Sequence, residues 1–291
     1  MDNYLIQPKG WKAGIYDLKS YDEYAAIKAL RSSQIKILRK SPAHFKAAQL
    51  AKKTPSARLK KSFDKGKAFD TLILHGHQAF DDLVCIEPEI NRNRKSYKAW
   101  RKSIPEDACI LTQQEKLHIQ QMKLAAERKQ QFSKIFCENG FPHRVIIWQC
   151  SKSKLWCKAE IDWITAAGAI VDLKTTADAS FWFFARNASR LGYAHQGAFY
   201  LDGLSNITGV LHTDFLLAAV EVDAPFESQI FKMSSDQLLN AHTQNQDNMM
   251  LLADCFSNDN WPGYVDQICD LDSGQYLFDD FEDEGGDVDG F

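Results

Sequence analysis

The spacing of apolar positions changes along this chain, and the changes mark out its elements. Over residues 20–65 apolar residues recur at helical spacing (Tyr21, Tyr24, Ala25, Ala29), which predicts several short helices. Ser33 and Ser41 stand where N-caps are expected, and Pro42 takes the first-turn position that tolerates it. A further helix is predicted to carry Phe63, Ala68, Leu72 and His75 and to end near Gly76. Asn91–Pro105 is polar and basic and reads as a mobile loop. Thr112–Cys137, free of Pro and Gly, reads as one long helix capped by Thr112. The period then shortens. Arg144–Cys150, Leu155–Ile164 and Ala169–Lys174 are rich in Ile, Val and Trp and separated by turn-like segments, which predicts a three-stranded meander. Helices are expected at Asp178–Arg190 and Tyr193–Leu204, strands at His212–Glu221 and Glu227–Met233, and a last helix at Ser234–Phe256.

Composition places this pattern in an ordinary globular protein: 291 residues, 45% hydrophobic and 25% charged. Apolar runs such as the one within Asp214–Val220 fall far short of the roughly 20 residues of a membrane span. The segment Met1-Asp2-Asn3 opens neither a basic region nor an apolar stretch, so a cytoplasmic location is expected. Cysteines at 85, 109, 137, 150, 157, 255 and 269 form no C-x-x-C pair, which argues against zinc and iron–sulfur sites and for reduced thiols.

The net charge of −3 conceals an asymmetry. Between Lys28 and Lys67 there are thirteen Lys/Arg and one acid, Asp64, whereas Asp266–Phe291 holds ten acids and no base. A basic cluster suits a phosphate backbone, and a solvated helical surface is the alternative. The acidic segment reads as a largely disordered tail, either solubilising, or docking on a partner, or covering the basic region as a DNA mimic.

The chemistry concentrates in Lys158-Ala-Glu-Ile-Asp162-Trp and Asp172-Leu-Lys174, with nine residues between the two aspartates. Residues two apart on a strand share a face, so Asp172 and Lys174 project together. If the preceding strand pairs antiparallel through Thr165–Gly168, Asp162 lies beside Asp172. Converging carboxylates need a cation between them, and hard oxygen ligands suit Mg²⁺, with Mn²⁺ able to substitute. The Leu173 carbonyl could add a ligand, and Lys174 could hold a water or a phosphate. The spacing alone is also compatible with two surface acids and an ordinary salt bridge.

Several further segments resemble, in order, those of the RecE-type exonucleases (exonuclease VIII), a branch of the PD-(D/E)XK superfamily. Tyr24-Ala-Ala-Ile-Lys-Ala-Leu-Arg-Ser-Ser33 and Ser41-Pro-Ala-His-Phe45 are similar to the family's N-terminal signature. Gly66–His75 resembles its histidine-bearing helix. Cys157–Trp163 and Val171–Thr176 resemble its two core strands. Gly192-Tyr193-Ala-His-Gln196-Gly-Ala-Phe-Tyr200 resembles the G-Y-x-x-Q-x-x-x-Y helix that follows.

The resemblance implies an α/β restriction-endonuclease-like fold: a central mixed sheet flanked by helices, in one domain over 1–265. A helical N-terminal portion would cover about 15–140 and a catalytic core about 141–256. It implies a Mg²⁺-dependent deoxyribonuclease that degrades one strand of double-stranded DNA processively from the 5′ end. A ring-shaped homo-oligomer and a RecT-type annealing partner, in a phage-type recombination setting, are implied as well. Asp162, Asp172, Lys174 and Gln196 would be catalytic, with His75, Asp162, Asp172 and the Leu173 carbonyl around the metal. Candidate DNA contacts are Ser33, Lys52, Lys53, Lys60, Lys61, Arg92, Arg94, Arg186, Arg190, Tyr193 and Tyr200. The alternatives are core packing for Tyr193 and Tyr200, a solvated face for Arg186 and Arg190, and a cap for Ser33. His143 stands where many relatives carry an acid, with Glu160 as its possible replacement. Other readings are a nuclease of different polarity, an endonuclease, or a catalytically silent DNA-binding scaffold. No G-x-x-x-x-G-K-[ST] loop occurs, so no ATP is implied.

Overall fold

In a computed structural model that describes residues 2–18, 21–51, 57–105 and 107–268, the chain begins with strand β1 (Gly14–Tyr16). Helices α1 (Tyr21–Ala26), α2 (Ser32–Leu38), α3 (Pro42–Leu50), α4 (Ala57–Leu74) and α5 (Gly76–Leu83) follow. Strand β2 (Val84–Ile86), helix α6 (Lys95–Ser103), strand β3 (Cys109–Leu111), and helices α7 (Gln113–Glu127) and α8 (Gln130–Cys137) come next. The second half runs β4 (Gly140–Gln149), β5 (Trp156–Thr165), β6 (Ile170–Thr176), α9 (Phe181–Leu191), α10 (Tyr193–Thr208), β7 (Phe215–Glu221), β8 (Ser228–Lys232) and α11 (Ser235–Asn258).

Six strands form one mixed sheet in the order β1-β4-β5-β6-β7-β8, in which only β6 and β7 are parallel. The parallel pair needs a long crossover, and α9 and α10 supply it. Alternation along the strands sends apolar side chains to both faces. On one face Ile146, Trp148, Ala159 and Ile161 meet Phe199, Leu201 and Leu204 of α10 and Met249 and Leu252 of α11. On the other, Val171, Leu173, Ala218 and Val220 meet Phe69 and Leu72 of α4, Ile119 and Met122 of α7, and Phe132 of α8. Leu72 and Trp148 are fully buried, so truncating either to Ala would cost about 2–5 kcal/mol. The architecture is thus the mixed α/β sheet flanked by helices that the sequence predicts.

Four local expectations need correction. The N-terminal portion is not purely helical, because β1 forms the sheet edge on β4 and the short β2 and β3 pair in parallel. Asn91–Pro105 is not a loop throughout. Tyr97 and Trp100 lie one turn apart on α6, Ile104 is its C-cap, and the Tyr97 hydroxyl anchors the helix to Glu87 at 2.6 Å. The helix after Thr112 breaks at Arg128-Lys129, where bonds to the third residue back tighten the turn and Ser133 donates to the Glu127 carbonyl. The break lets Phe132 reach the core on its own helix. Thr112 does cap, in a reciprocal box with Glu115. Ser41 caps α3 through the His44 N–H, but α2 is capped by Arg31, leaving Ser33 inside its first turn. Lys52, Lys53 and residues 269–291, which include most of the acidic segment, lie outside the described residues.

Candidate active site

The site begins where two strands part. The β5–β6 turn closes through Gly168 N–H to the Thr165 carbonyl (2.8 Å), and the ladder pairs Ile164 with Ile170 and Trp163 with Val171. Continued one step, this register would set Asp162 against Asp172. The ladder stops there instead, and the Asp162 carboxylate accepts the Leu173 N–H at 2.8 Å. A cause lies in β5 itself. Ile161 and Ile164 pack in the same cluster although three residues apart, and Trp163 packs in the opposite one. Alternation therefore slips at Asp162-Trp163, as at a bulge, which re-aims the acid. Strand β6 stays paired with β7 over its whole length, so Asp172 and Lys174 are held on a rigid strand.

Asp172 is almost wholly buried, and the Lys174 ammonium lies 2.5 Å from its Oδ2. That oxygen nevertheless lacks a well-directed hydrogen bond. Burial and the nearby Asp172 push the Asp162 carboxyl up to about 7, only partly offset by Lys174, the Leu173 N–H and His143. Burial would lower the Lys174 ammonium, but Asp172, Tyr193 and Asp162 outweigh it and hold lysine above its usual range. The result is a buried centre with more carboxylate than cation. Among the described residues no three His, Cys, Asp or Glu form a ready metal cage. What fits a hard cation is the underserved Asp172 Oδ2, the strained Asp162 carboxyl and the adjoining Leu173 carbonyl, with the remaining ligands left to water and substrate.

Helix α10 completes the centre. Gly192, at φ +77°, caps α9 and turns the chain directly into α10. A Cβ on Gly197 would come within 2.4 Å of the Phe215 ring, so the glycine permits α10 to lie close on the sheet. That approach lets Gln196 Nε2 donate to Asp172 Oδ1 at 3.1 Å and to the Tyr200 hydroxyl at 2.9 Å. Tyr200 is buried, so its expected role as a DNA contact is corrected to one of positioning Gln196. The buried Tyr193 places its ring centroid 5.0 Å from the Lys174 ammonium. A cleft of about 260 Å³ opens over these groups, with Lys174, Tyr193 and Gln196 on one side and Ser33, Lys36 and Arg39 of the α2 region on the other. It brings Ser33 to the centre and adds two bases, Lys36 and Arg39, that sequence reading had only within the general basic cluster.

The contribution of α4 differs from expectation. His75 follows the helix's last residue, and its ring stacks on His143 with centroids 4.8 Å apart. Burial and His143 lower the His75 imidazole, and no contact ties it to the Asp162–Asp172 pair. The α4 acid whose titration the centre perturbs is Asp70, its carboxyl driven well above its usual range by burial, Asp162, Asp172 and Glu160, against the pull of Lys174. The signal was present in the sequence: an acid between Phe69 and Leu72, on the helix face that enters the core. His143 and Glu160 face each other at 3.7 Å. Burial would lower the His143 imidazole, but Glu160 and Asp162 raise it above the ordinary histidine value. The position read as a missing acid therefore holds an imidazole whose protonated form Glu160 and Asp162 favour.

The outlying basic residues divide. Lys61 is paired with Glu115 at 3.1 Å and Arg92 with Glu87 at 2.9 Å, which leaves neither as a free phosphate contact. Lys60 and Arg94 are exposed, as are Arg186 and Arg190 on α9.

The comparisons agree with this geometry. No curated protein sequence matches the chain. A crystal structure described as a "Putative exonuclease" from Eubacterium rectale superposes with a TM-score of 0.59 at 16% identity, over 90% of this chain and 98% of that one, which shows a shared fold. The family description "PDDEXK-like domain of unknown function (DUF3799)" matches residues 31–272, which include every part of the centre described above. The chain therefore belongs to this PDDEXK-like family.

Proposed function

We propose that the protein is a Mg²⁺-dependent deoxyribonuclease that digests double-stranded DNA from an end, in the 5′ to 3′ direction, leaving 3′ single strands for recombination. The observation that carries the reading is the buried Asp162–Asp172–Lys174 centre, seated where β5 and β6 part and ordered from behind by Gln196. Asp162, Asp172 and the Leu173 carbonyl would hold the metal. When bound, Mg²⁺ would acidify a water and neutralise charge on the phosphoryl oxygens at the transition state. Lys174, kept protonated by its two carboxylate neighbours, orients the attacking water and shields its developing negative charge. Gln196 fixes the Asp172 rotamer. The cleft bases Lys36 and Arg39, with Ser33, grip the phosphate backbone leading to the scissile bond.

Preference for an end, the 5′ to 3′ polarity and processive action rest on the resemblance to RecE-type exonucleases. So do the ring of subunits and the RecT-type annealing partner. A cytoplasmic location fits the same reading, and among the described residues no helix is long and apolar enough to cross a membrane.

One time course tests the core of it. Duplexes labelled at the 5′ or the 3′ end are incubated with Mg²⁺, with Mn²⁺ or with EDTA. Immediate release of the 5′ label, delayed release of the 3′ label and silence in EDTA are expected. Early internal cuts would make the protein an endonuclease, and silence under all conditions would leave a DNA-binding scaffold. Light scattering across a concentration series reports the oligomer.

A further inference from the structure

The first turn of α9 turns three consecutive aromatics toward water: Phe181, Trp182 and Phe183 are 62%, 82% and 39% exposed. The rings of Phe181 and Trp182 meet edge to face with centroids 5.3 Å apart. Anchoring of the helix falls to its other side, where Phe184 is buried and stacks on Phe231 at 4.6 Å. Most of the Phe181 and Trp182 surface therefore faces water, and contiguous exposed apolar surface of this kind marks a binding face. Trp182, Arg186 and Arg190 recur every four residues, so they form one stripe along the helix. Helix α9 contains neither Asp nor Glu, and among the described residues neither arginine has an ion-pair partner.

One flank of α9 borders the centre, although the stripe residues themselves do not line it. Helix α9 follows directly on β6, and Phe183, Phe184 and Asn187 share a small cavity with Thr175, Thr176 and Tyr193. Tyr193 is also the ring beside the Lys174 ammonium. Flat apolar rings followed by uncompensated guanidinium groups match one ligand chemistry, unpaired bases on a phosphate chain.

We propose that the outer face of α9 is a stacking platform for a single-stranded segment of the nucleic-acid substrate, with Phe181 and Trp182 against the bases and Arg186 and Arg190 against the phosphates. This deepens the nuclease reading and rests on it. A duplex end arriving at the centre would have its frayed strand held on the platform, while a fully paired duplex offers no unstacked base to these rings.

The test uses the full chain in EDTA, with fluorescence anisotropy on oligo(dT) of twenty nucleotides and on a blunt duplex of equal length. Trp182→Ala should weaken single-strand binding at least about tenfold, the order that base–aromatic stacking supports, and Trp182→Phe should restore most of it. Arg186→Ala should lower the log–log salt slope by roughly 0.7. Binding of the blunt duplex should stay within about twofold, and melting should be unchanged because the altered side chains are exposed. Unchanged single-strand affinity in Trp182→Ala overturns the platform. So does a change in sedimentation with affinity intact, which would make this face a contact between copies or with another protein. The same proteins are then assayed in Mg²⁺. Cleavage by wild type with unaltered binding by the variants overturns the platform alone, whereas Trp182-dependent binding without any cleavage overturns the nuclease reading and leaves the platform.

Discussion

Gln196 donates its side-chain amide to the Asp172 carboxylate across 3.1 Å, and the same nitrogen lies 2.9 Å from the Tyr200 hydroxyl. The two residues come from adjoining layers, α10 and β6, so the bond locks the helix to the strand that carries Asp172 and Lys174. Burial and Asp172 raise the Tyr200 hydroxyl above its ordinary value, which keeps it neutral and able to share in the network. Gln196→Glu would set another carboxylate against Asp172 and should lower the single-turnover cleavage rate by at least ~10²-fold. Gln196→Leu, which only removes the donor, should cost about tenfold. Equal, near-normal rates in both would reduce Gln196 to packing.

On the proposed reading, Asp162→Ala and Asp172→Ala would each remove an oxygen ligand from a hard cation, and both should abolish cleavage while DNA still binds. Lys174→Arg keeps the charge but replaces a compact ammonium by a planar fork in a space closed by Asp172 and Tyr193. A loss of at least ~10²-fold is expected. End-labelled duplex assays with binding measured in parallel check both, and near-normal turnover in any one of the three variants would refute its assigned role.

Asp70 and His75 provide a direct contrast on neighbouring turns of the chain. Asp70 feels Asp162, Asp172 and Lys174, whereas His75 stacks on His143. Asp70→Asn should lower cleavage about tenfold or more and raise the Mg²⁺ concentration for half-maximal rate. His75→Ala should remain within about threefold of wild type. A Mg²⁺ titration of both variants decides, and the reverse ranking would return the histidine to the metal.

Much of this centre was legible because it lies on regular strands. The two-residue spacing puts Asp172 and Lys174 on one face, and pairing through the Thr165–Gly168 turn brings Asp162 near them. What periodicity cannot carry is the slip at Asp162-Trp163, which depends on how Trp163 packs across the sheet against α4, α7 and α8. Asp70 was missed for a related reason. One acid on an amphipathic helix has no pattern of its own, and the histidine five residues on drew the assignment. Helix α6 was obscured by composition, since its docking relies on Tyr97 and Trp100 amid Lys and Arg. Tyr200 stayed open between core and DNA contact because a helical stripe does not say which face meets the sheet. Lys61 and Arg92 looked free because their partners, Glu115 and Glu87, are distant or separated by a turn in sequence.

The Asp162 carboxyl makes stability depend on pH in a way that metal should cancel. Its value rises from an ordinary 3.8 to about 7 in the folded chain. Between these values the folded state binds more protons than the unfolded state, so metal-free stability falls as pH rises through this window. The penalty is complete above about pH 7, where the folded chain must carry Asp162 charged beside Asp172. A cation bound between them favours the charged form and competes with the proton. Melting in EDTA should therefore decline from pH 5 to pH 8. Excess Mg²⁺ should raise it at pH 8 and have little effect at pH 5. Each ~1 kcal/mol recovered corresponds to about 2–4 °C in a chain of this size. Asp162→Asn cannot charge, so it should flatten the profile in EDTA and abolish the Mg²⁺ increment. Thermal scans of wild type and Asp162→Asn at both pH values, with and without Mg²⁺, provide the comparison. An increment that is equal at pH 5 and pH 8, or that survives in Asp162→Asn, would place the metal away from Asp162.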